Sequence, residues 1–153
     1  MLGWNQDGGP SGWSLASWNC CVSGTTYHSS FIAAPGSTVS GDIGGTGCAS
    51  SGVCSSWQIV SYDYSSEQST TLNTSAYGVA MNWVFGGALE AYDISACSQL
   101  PGGTVTFSDF YIDVAPSGAH VATPAWTSSY WGASPSCGYS LSYDSAHDAT
   151  YHY

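Results

Sequence analysis

The sequence predicts an all-β protein, and three observations carry that prediction. Apolar residues recur with a period of two, glycine and proline clusters interrupt them at short intervals, and aromatics make up 14% of the chain. The alternating runs, in order, are Trp13 to Trp18, Tyr27 to Ile32, Thr38 to Ile43, Ser56 to Tyr62, Val79 to Phe85, Ala88 to Tyr92, Thr104 to Ile112 and Gly138 to Tyr143. Turn signals separate them at Gly8-Gly9-Pro10, Pro35-Gly36, Gly44-Gly45, Pro101-Gly102-Gly103 and Pro116-Ser117-Gly118. Short strands at this spacing imply an antiparallel sandwich or barrel. A helix over Tyr77 to Ala91 is the one competing pattern, and Gly86-Gly87 would interrupt it. With no repeat, linker or break in composition, residues 1–153 read as a single domain.

Charge excludes several partners. The chain has no lysine or arginine against ten acidic residues, for a net charge of −10 and a pI near 4.1. Nucleic acid is excluded as a partner because phosphate neutralisation requires lysine or arginine. Attraction to an anionic membrane surface fails for the same reason, and no apolar run reaches the roughly 18 residues of a membrane span. No carboxylate here can depend on a lysine or arginine neighbour. In acid the chain is almost neutral, since only four histidines and the amino terminus become positive. Better tolerance of acid than of alkali is the expectation.

Six cysteines, an even number in a short chain, favour disulfides and an oxidising, extracellular compartment. Cys48 and Cys54 bracket a small loop and form the easiest local pair. Cys20 and Cys21 are adjacent, so they either bridge each other or reach elsewhere. No zinc-type spacing occurs, and no metal or cofactor is called for. Asn73-Thr74-Ser75 is a glycosylation sequon, consistent with secretion. The start, Met1-Leu2-Gly3-Trp4, reads as a mature or trimmed one without a leader.

Candidate chemistry narrows to one carboxylate. The chain has two glutamates, and Glu67 lies in a polar stretch that reads as a hairpin tip. Glu90 lies in the most apolar stretch, Trp83 to Tyr92, where alternation puts it on one face with Ala88 and Tyr92. With no cationic partner it must be hydrogen-bonded, solvated or raised in pKa. Asp144, His147, Asp148 and His152 crowd the C-terminal end, where a frayed polar tail competes with a cation site. No Gly-x-Ser-x-Gly elbow supports a serine nucleophile. Outward-facing tryptophans and tyrosines would stack on sugar rings, as in a lectin-like module.

The order of motifs resembles the eqolisin family, the fungal glutamic peptidases. It runs through Gly12-Trp13 to Trp18 and Ile32-Ala33-Ala34-Pro35-Gly36-Ser37-Thr38-Val39, then Trp57-Gln58-Ile59-Val60 and Glu67-Gln68-Ser69. Phe85 to Glu90 is similar to the family's Ala-Glu-Trp-Ile-Val-Glu motif, and Gly103 to Ser108 to its Gly-x-Val-x-Phe-Thr. The resemblance implies a concanavalin-like jelly-roll β-sandwich and acid endopeptidase activity with Glu90 as general base. In that chemistry the carboxylate activates a water that a glutamine amide holds. The glutamine precedes a glycine-aromatic pair by two residues. Matching that pair to Gly3-Trp4 puts Met1 in the glutamine's place, and Gln6-Asp7-Gly8 is the other match. The strands that precede the glutamine in the family have no counterpart here.

The expected function is therefore that of a secreted, acid-tolerant protein acting on polypeptide through Glu90. The alternatives are a non-catalytic module for cell-wall glycan, or a self-associating extracellular structural protein built on long edge strands.

Overall fold

In the computed structural model the described residues are 2–5, 11–19, 26–27, 30–75, 89–114, 117–127 and 135–152. Their regular structure is all strand, apart from one 3-10 turn at Cys97–Gln99, with turns and loops between. The expected run over Val79 to Phe85 lies outside the described residues, as do Cys20 and Cys21; of the alternative helix over Tyr77 to Ala91 only the last three residues are described, and Leu89–Ala91 form a strand instead.

The first sheet holds β1 (Leu2–Trp4), β2 (Trp13–Leu15), β5 (Phe31–Ala33) and β9 (Leu89–Ala91), in the order β5-β2-β1-β9. The β5–β2 and β2–β1 pairs are antiparallel, but β1 and β9 run parallel, which corrects the expectation of a wholly antiparallel sheet. Parallel partners need a long connection, and 84 residues separate Trp4 from Leu89 (89 minus 4, less one). Strand alternation gives this sheet one strongly apolar face, carrying Leu2, Trp4, Trp13, Leu15, Phe31, Ala33 and Leu89. Trp4, Leu15 and Ala33 are buried there, and the Trp4 and Trp13 rings meet edge to face at 4.7 Å. The 3-10 turn anchors the same face, because the Trp4 indole N–H donates to the Gln99 carbonyl at 2.7 Å.

A second sheet is the antiparallel meander β6 (Val39–Thr46), β7 (Ser56–Asp63) and β8 (Gln68–Thr74). β7 supplies the alternation: Trp57, Ile59, Ser61 and Asp63 on one face, Gln58, Val60 and Tyr62 on the other. At one end the chain turns through residues 47–55, where the Cys48–Cys54 disulfide forms as expected. Gly45 lies over it with no room for a side chain, since a Cβ there would stand 2.7 Å from Cys54 Sγ and 3.1 Å from the Trp57 ring. At the other end Tyr64 to Glu67 make the turn, with Glu67 at φ 58°. Asp63 builds that turn: Oδ1 accepts the Ser65 N–H at 2.8 Å and Oδ2 the Ser66 hydroxyl at 3.0 Å.

Buried hydroxyls join the two sheets. The Ser17 hydroxyl lies 3.1 Å from the Thr70 carbonyl and 3.3 Å from the Ser61 hydroxyl, which itself donates to the Ala16 carbonyl at 3.1 Å. This seam is why the run Trp13 to Trp18 is not one strand. It ends at Leu15, crosses through Ala16 and Ser17, and resumes as β3 (Trp18–Asn19) paired with β4 (Thr26–Tyr27). Tyr27 to Ile32 is likewise two strands with different partners, β4 and β5.

The C-terminal sheet has the order β10-β14-β13, from β10 (Thr104–Phe107), β13 (Ser140–Tyr143) and β14 (Ala149–His152). β10 stops at Phe107 rather than Ile112, because Asp109 has φ 56° and the Phe110 N–H turns to the His147 carbonyl at 2.9 Å. A small hairpin follows, β11 (Asp113–Val114) with β12 (Ala119–His120). A second disulfide, Cys97–Cys137, ties the 3-10 turn to the segment before β13. No helix among the described residues is long and apolar enough to cross a membrane.

Candidate functional site

Strand register places Glu90 at the edge of the first sheet. The row across that sheet reads Ile32, Ser14, Gly3, Glu90, from β5 through β2 and β1 to β9. Partners in a row project to the same face, so this row opposes the tryptophan face. Gly3 is buried and carries no side chain, leaving the space beside Glu90 free of any β1 side chain at that level. Glu90 itself is exposed, and the Tyr92 hydroxyl donates to its Oε2. The carboxylate is thus hydrogen-bonded and exposed. The contact also fixes Glu90 and Tyr92 on one face, as alternation requires.

Asn5 holds this edge together and was not singled out by the sequence. It ends β1 at φ 60°, a conformation asparagine tolerates. Its Nδ2 donates to the Tyr92 carbonyl at 3.2 Å, and its Oδ1 accepts the Ser11 N–H at 2.5 Å. The backbone bonds Asn5 N–H to Gly12 O and Tyr92 N–H to Trp4 O, both 3.0 Å, complete the staple between the β1–β2 turn and the end of β9. Gly3-Trp4 therefore lies directly against Glu90-Ala91. Met1 and Gln6-Asp7-Gly8, the positions matched to the family's glutamine, lie outside the described residues.

Glu67 is an exposed turn carboxylate, as its polar surroundings suggest. The C-terminal group is not a frayed tail, and its members do not converge on a cation. Asp144 accepts the Thr150 hydroxyl at 3.1 Å, both His147 ring nitrogens face carbonyls, and His152 lies exposed in β14 between Thr104 and Ser140. Among the described residues no three of His, Cys, Asp and Glu are grouped so as to hold a metal.

Two carboxylates depart from their ordinary value of 3.8. Burial pushes the Asp63 carboxyl up, but donors from Ser65, Ser66 and Ser37 together outweigh it and hold it below that value. The Ser145 hydroxyl at 2.6 Å, then the Asp109 N–H, hold Asp148 low against a smaller effect of burial, and the nearby His147 adds to the lowering. Hydroxyls and amides thus do here what lysine and arginine do elsewhere. The expected acid tolerance consequently has a lower limit, set by these two groups.

The half-buried Tyr62 and the exposed Tyr64 do not form a flat platform, since their rings meet at 77° with centroids 4.8 Å apart. A sugar-stacking surface would need rings facing one way. The chain matches no family model, no curated protein and no solved structure.

Proposed function

We propose that this chain is a secreted, acid-tolerant β-sandwich protein of the eqolisin kind, with a concanavalin-like jelly-roll arrangement of its sheets, that hydrolyses polypeptide with Glu90 as general base. One observation carries the reading: Glu90 is an exposed carboxylate beside a glycine, with one oxygen engaged by Tyr92 and the other carrying no hydrogen bond among the described residues. That second oxygen, Oε1, takes a proton from a water whose oxygen adds to the scissile carbonyl. The proton then passes to the leaving amine as the C–N bond breaks, giving one carboxylic acid and one amine. Tyr92 acts as a positioning residue that fixes the carboxylate's orientation.

Of the two positions matched to the family's glutamine, Met1 has no side-chain amide to donate to the oxyanion, and Gln6 has Gly9 where the family has an aromatic. A missing donor of that kind costs about 3–4 kcal/mol, or a factor of roughly 10²–10³ in turnover. Slow cleavage is therefore the expectation. Two disulfides fit an extracellular setting and so support secretion. The test is cleavage of a denatured protein in acid by the wild type and by Glu90→Gln. Loss of cleavage in the variant supports the reading, and equal silence from both folded proteins refutes it.

A second reading, self-association, is favoured by β6. This eight-residue strand lies at a sheet edge and is exposed from Ser40 onward. The Tyr64 N–H to Thr38 O bond fixes the alternation, so 39, 41, 43 and 45 direct their backbone groups outward. Such an edge pairs with another strand unless charge or proline guards it, and β6 carries only Asp42. Sedimentation near the pI distinguishes this reading, with Ile43→Lys as the variant that keeps the chain monomeric.

A further inference from the structure

His147 occupies the turn between β13 and β14, and both of its ring nitrogens face carbonyl oxygens. Nδ1 lies 2.6 Å from Phe110 O, and Nε2 lies 3.0 Å from Ala122 O. Carbonyl oxygens only accept, so each contact needs an N–H on the ring. A neutral imidazole has a single N–H and must turn a lone pair on one of the two oxygens. The imidazolium has two and satisfies both.

We propose that His147 is an acid-set clasp: in its protonated form it ties the 108–112 and 121–126 segments to the C-terminal hairpin, and loss of the proton releases one of them. The clasp closes a defined junction. Phe110 is buried, with ring contacts to Phe107 and to Trp126 at centroid distances of 6.4 and 5.5 Å. Four further bonds cross the same three segments: Phe110 N–H to His147 O, Val121 N–H to Ile112 O, Asp109 N–H to Asp148 Oδ1, and the Trp126 indole N–H to Ala146 O. None of these four titrates with the imidazole, so the junction loosens without dissolving.

Titratable groups face the ring from three elements. Its own turn contributes Asp144 and Asp148, and the latter is held ionised by Ser145 and Asp109. The 108–112 segment contributes Asp109 and Tyr111, whose ring stacks on His147 at 5.5 Å. The β11–β12 hairpin contributes Asp113 and His120, and the 121–126 segment contributes no titratable group. Among the described residues His120 is the one opposing group, with its ring centroid 6.3 Å from that of His147. Its Nδ1 stands 3.2 Å from Asp113 Oδ1, so its charge when protonated is offset locally.

Closing both carbonyl contacts requires the second ring proton, so rising pH opens the junction. One proton is involved, so the opening constant rises by at most about tenfold per pH unit.

The test uses the whole chain. Ring ¹⁵N and N–H resonances are recorded in acid and in mild alkali, together with exchange of the Phe110 and Val121 amides corrected for its intrinsic pH dependence. The expected result is two His147 ring N–H protons in acid and an opening constant at both amides that climbs with pH. That climb disappears in His147→Gln and persists in His120→Gln. A single ring N–H in acid, exchange indifferent to pH, or the same slope in His147→Gln overturns the proposal. If His147→Gln does not fold, the wild-type ring spectrum decides.

Discussion

Ser14 and Ser17 are both 0% exposed, stand three residues apart, and should respond to alanine with opposite signs. Among the described residues the Ser14 hydroxyl has no hydrogen-bond partner, whereas Ser17 reaches the Thr70 carbonyl and the Ser61 hydroxyl. A buried hydroxyl without a partner carries a desolvation cost of about 1–3 kcal/mol. Alanine removes that cost and leaves only a small void, so Ser14→Ala should stabilise by about 1 kcal/mol. Ser17→Ala removes a hydrogen bond worth about 1 kcal/mol and leaves the Thr70 carbonyl short of a donor in a dry seam. It should destabilise by about 1–2 kcal/mol. The two variants would then differ by about 2–3 kcal/mol, or several degrees of melting temperature at this chain length. Urea denaturation with the disulfides intact reads this directly as midpoints displaced to opposite sides of the wild type. Equal destabilisation by both variants would refute the view that hydrogen-bond satisfaction sets the energetics of this seam.

Three other perturbations test separate parts of the fold. Gly45→Ala should destabilise by about 1–3 kcal/mol, since its Cβ would meet a disulfide sulfur that cannot swing away; the denaturation midpoint measures it. Removing Cys97–Cys137 frees a loop with a sequence separation of 40, which corresponds to about 4 kcal/mol on chain-entropy grounds, read from the same assay on Cys97→Ala/Cys137→Ala. Asp63 and Asp148 have depressed folded values, so their contribution is present above about pH 4 and lost as pH falls through the folded values. Asp63→Asn should therefore lose stability near neutrality and converge on the wild type in strong acid, as melting temperature against pH would show.

Legibility in the sequence followed the range of each interaction. β7 and β6 as far as Ile43 were plain from alternation, because Val39 and Ile43, Trp57 and Ile59, and Val60 and Tyr62 stand at even spacing, whereas Gly44-Gly45, read as a turn, continue β6 to Thr46. β8 was not, since Gln68 to Thr74 holds one large apolar residue, Leu72, and is a strand by pairing with β7. β14 was hidden the same way within an apparent polar tail, and β1 is only three residues long. The parallel pairing of Gly3 with Glu90 joins residues 87 positions apart, so no local period could reveal it. Asn5 and the two carbonyls facing His147 were invisible for the same reason. Glu90 could be singled out because a lone carboxylate in an apolar run is anomalous in a chain without cations. Its hydroxyl partner stood two residues away on the same face.

Peptide cleavage by the purified chain, followed from about pH 2 to 8 with Glu90→Gln and Tyr92→Phe alongside, tests the role of Glu90 most directly. With Glu90 as general base the wild type cleaves slowly in acid, and solvent oxygen enters the new carboxyl group. Glu90→Gln is then inactive, and Tyr92→Phe loses turnover more than substrate binding. Cleavage undiminished in Glu90→Gln, or none by a wild type whose circular dichroism shows it folded, would contradict that role.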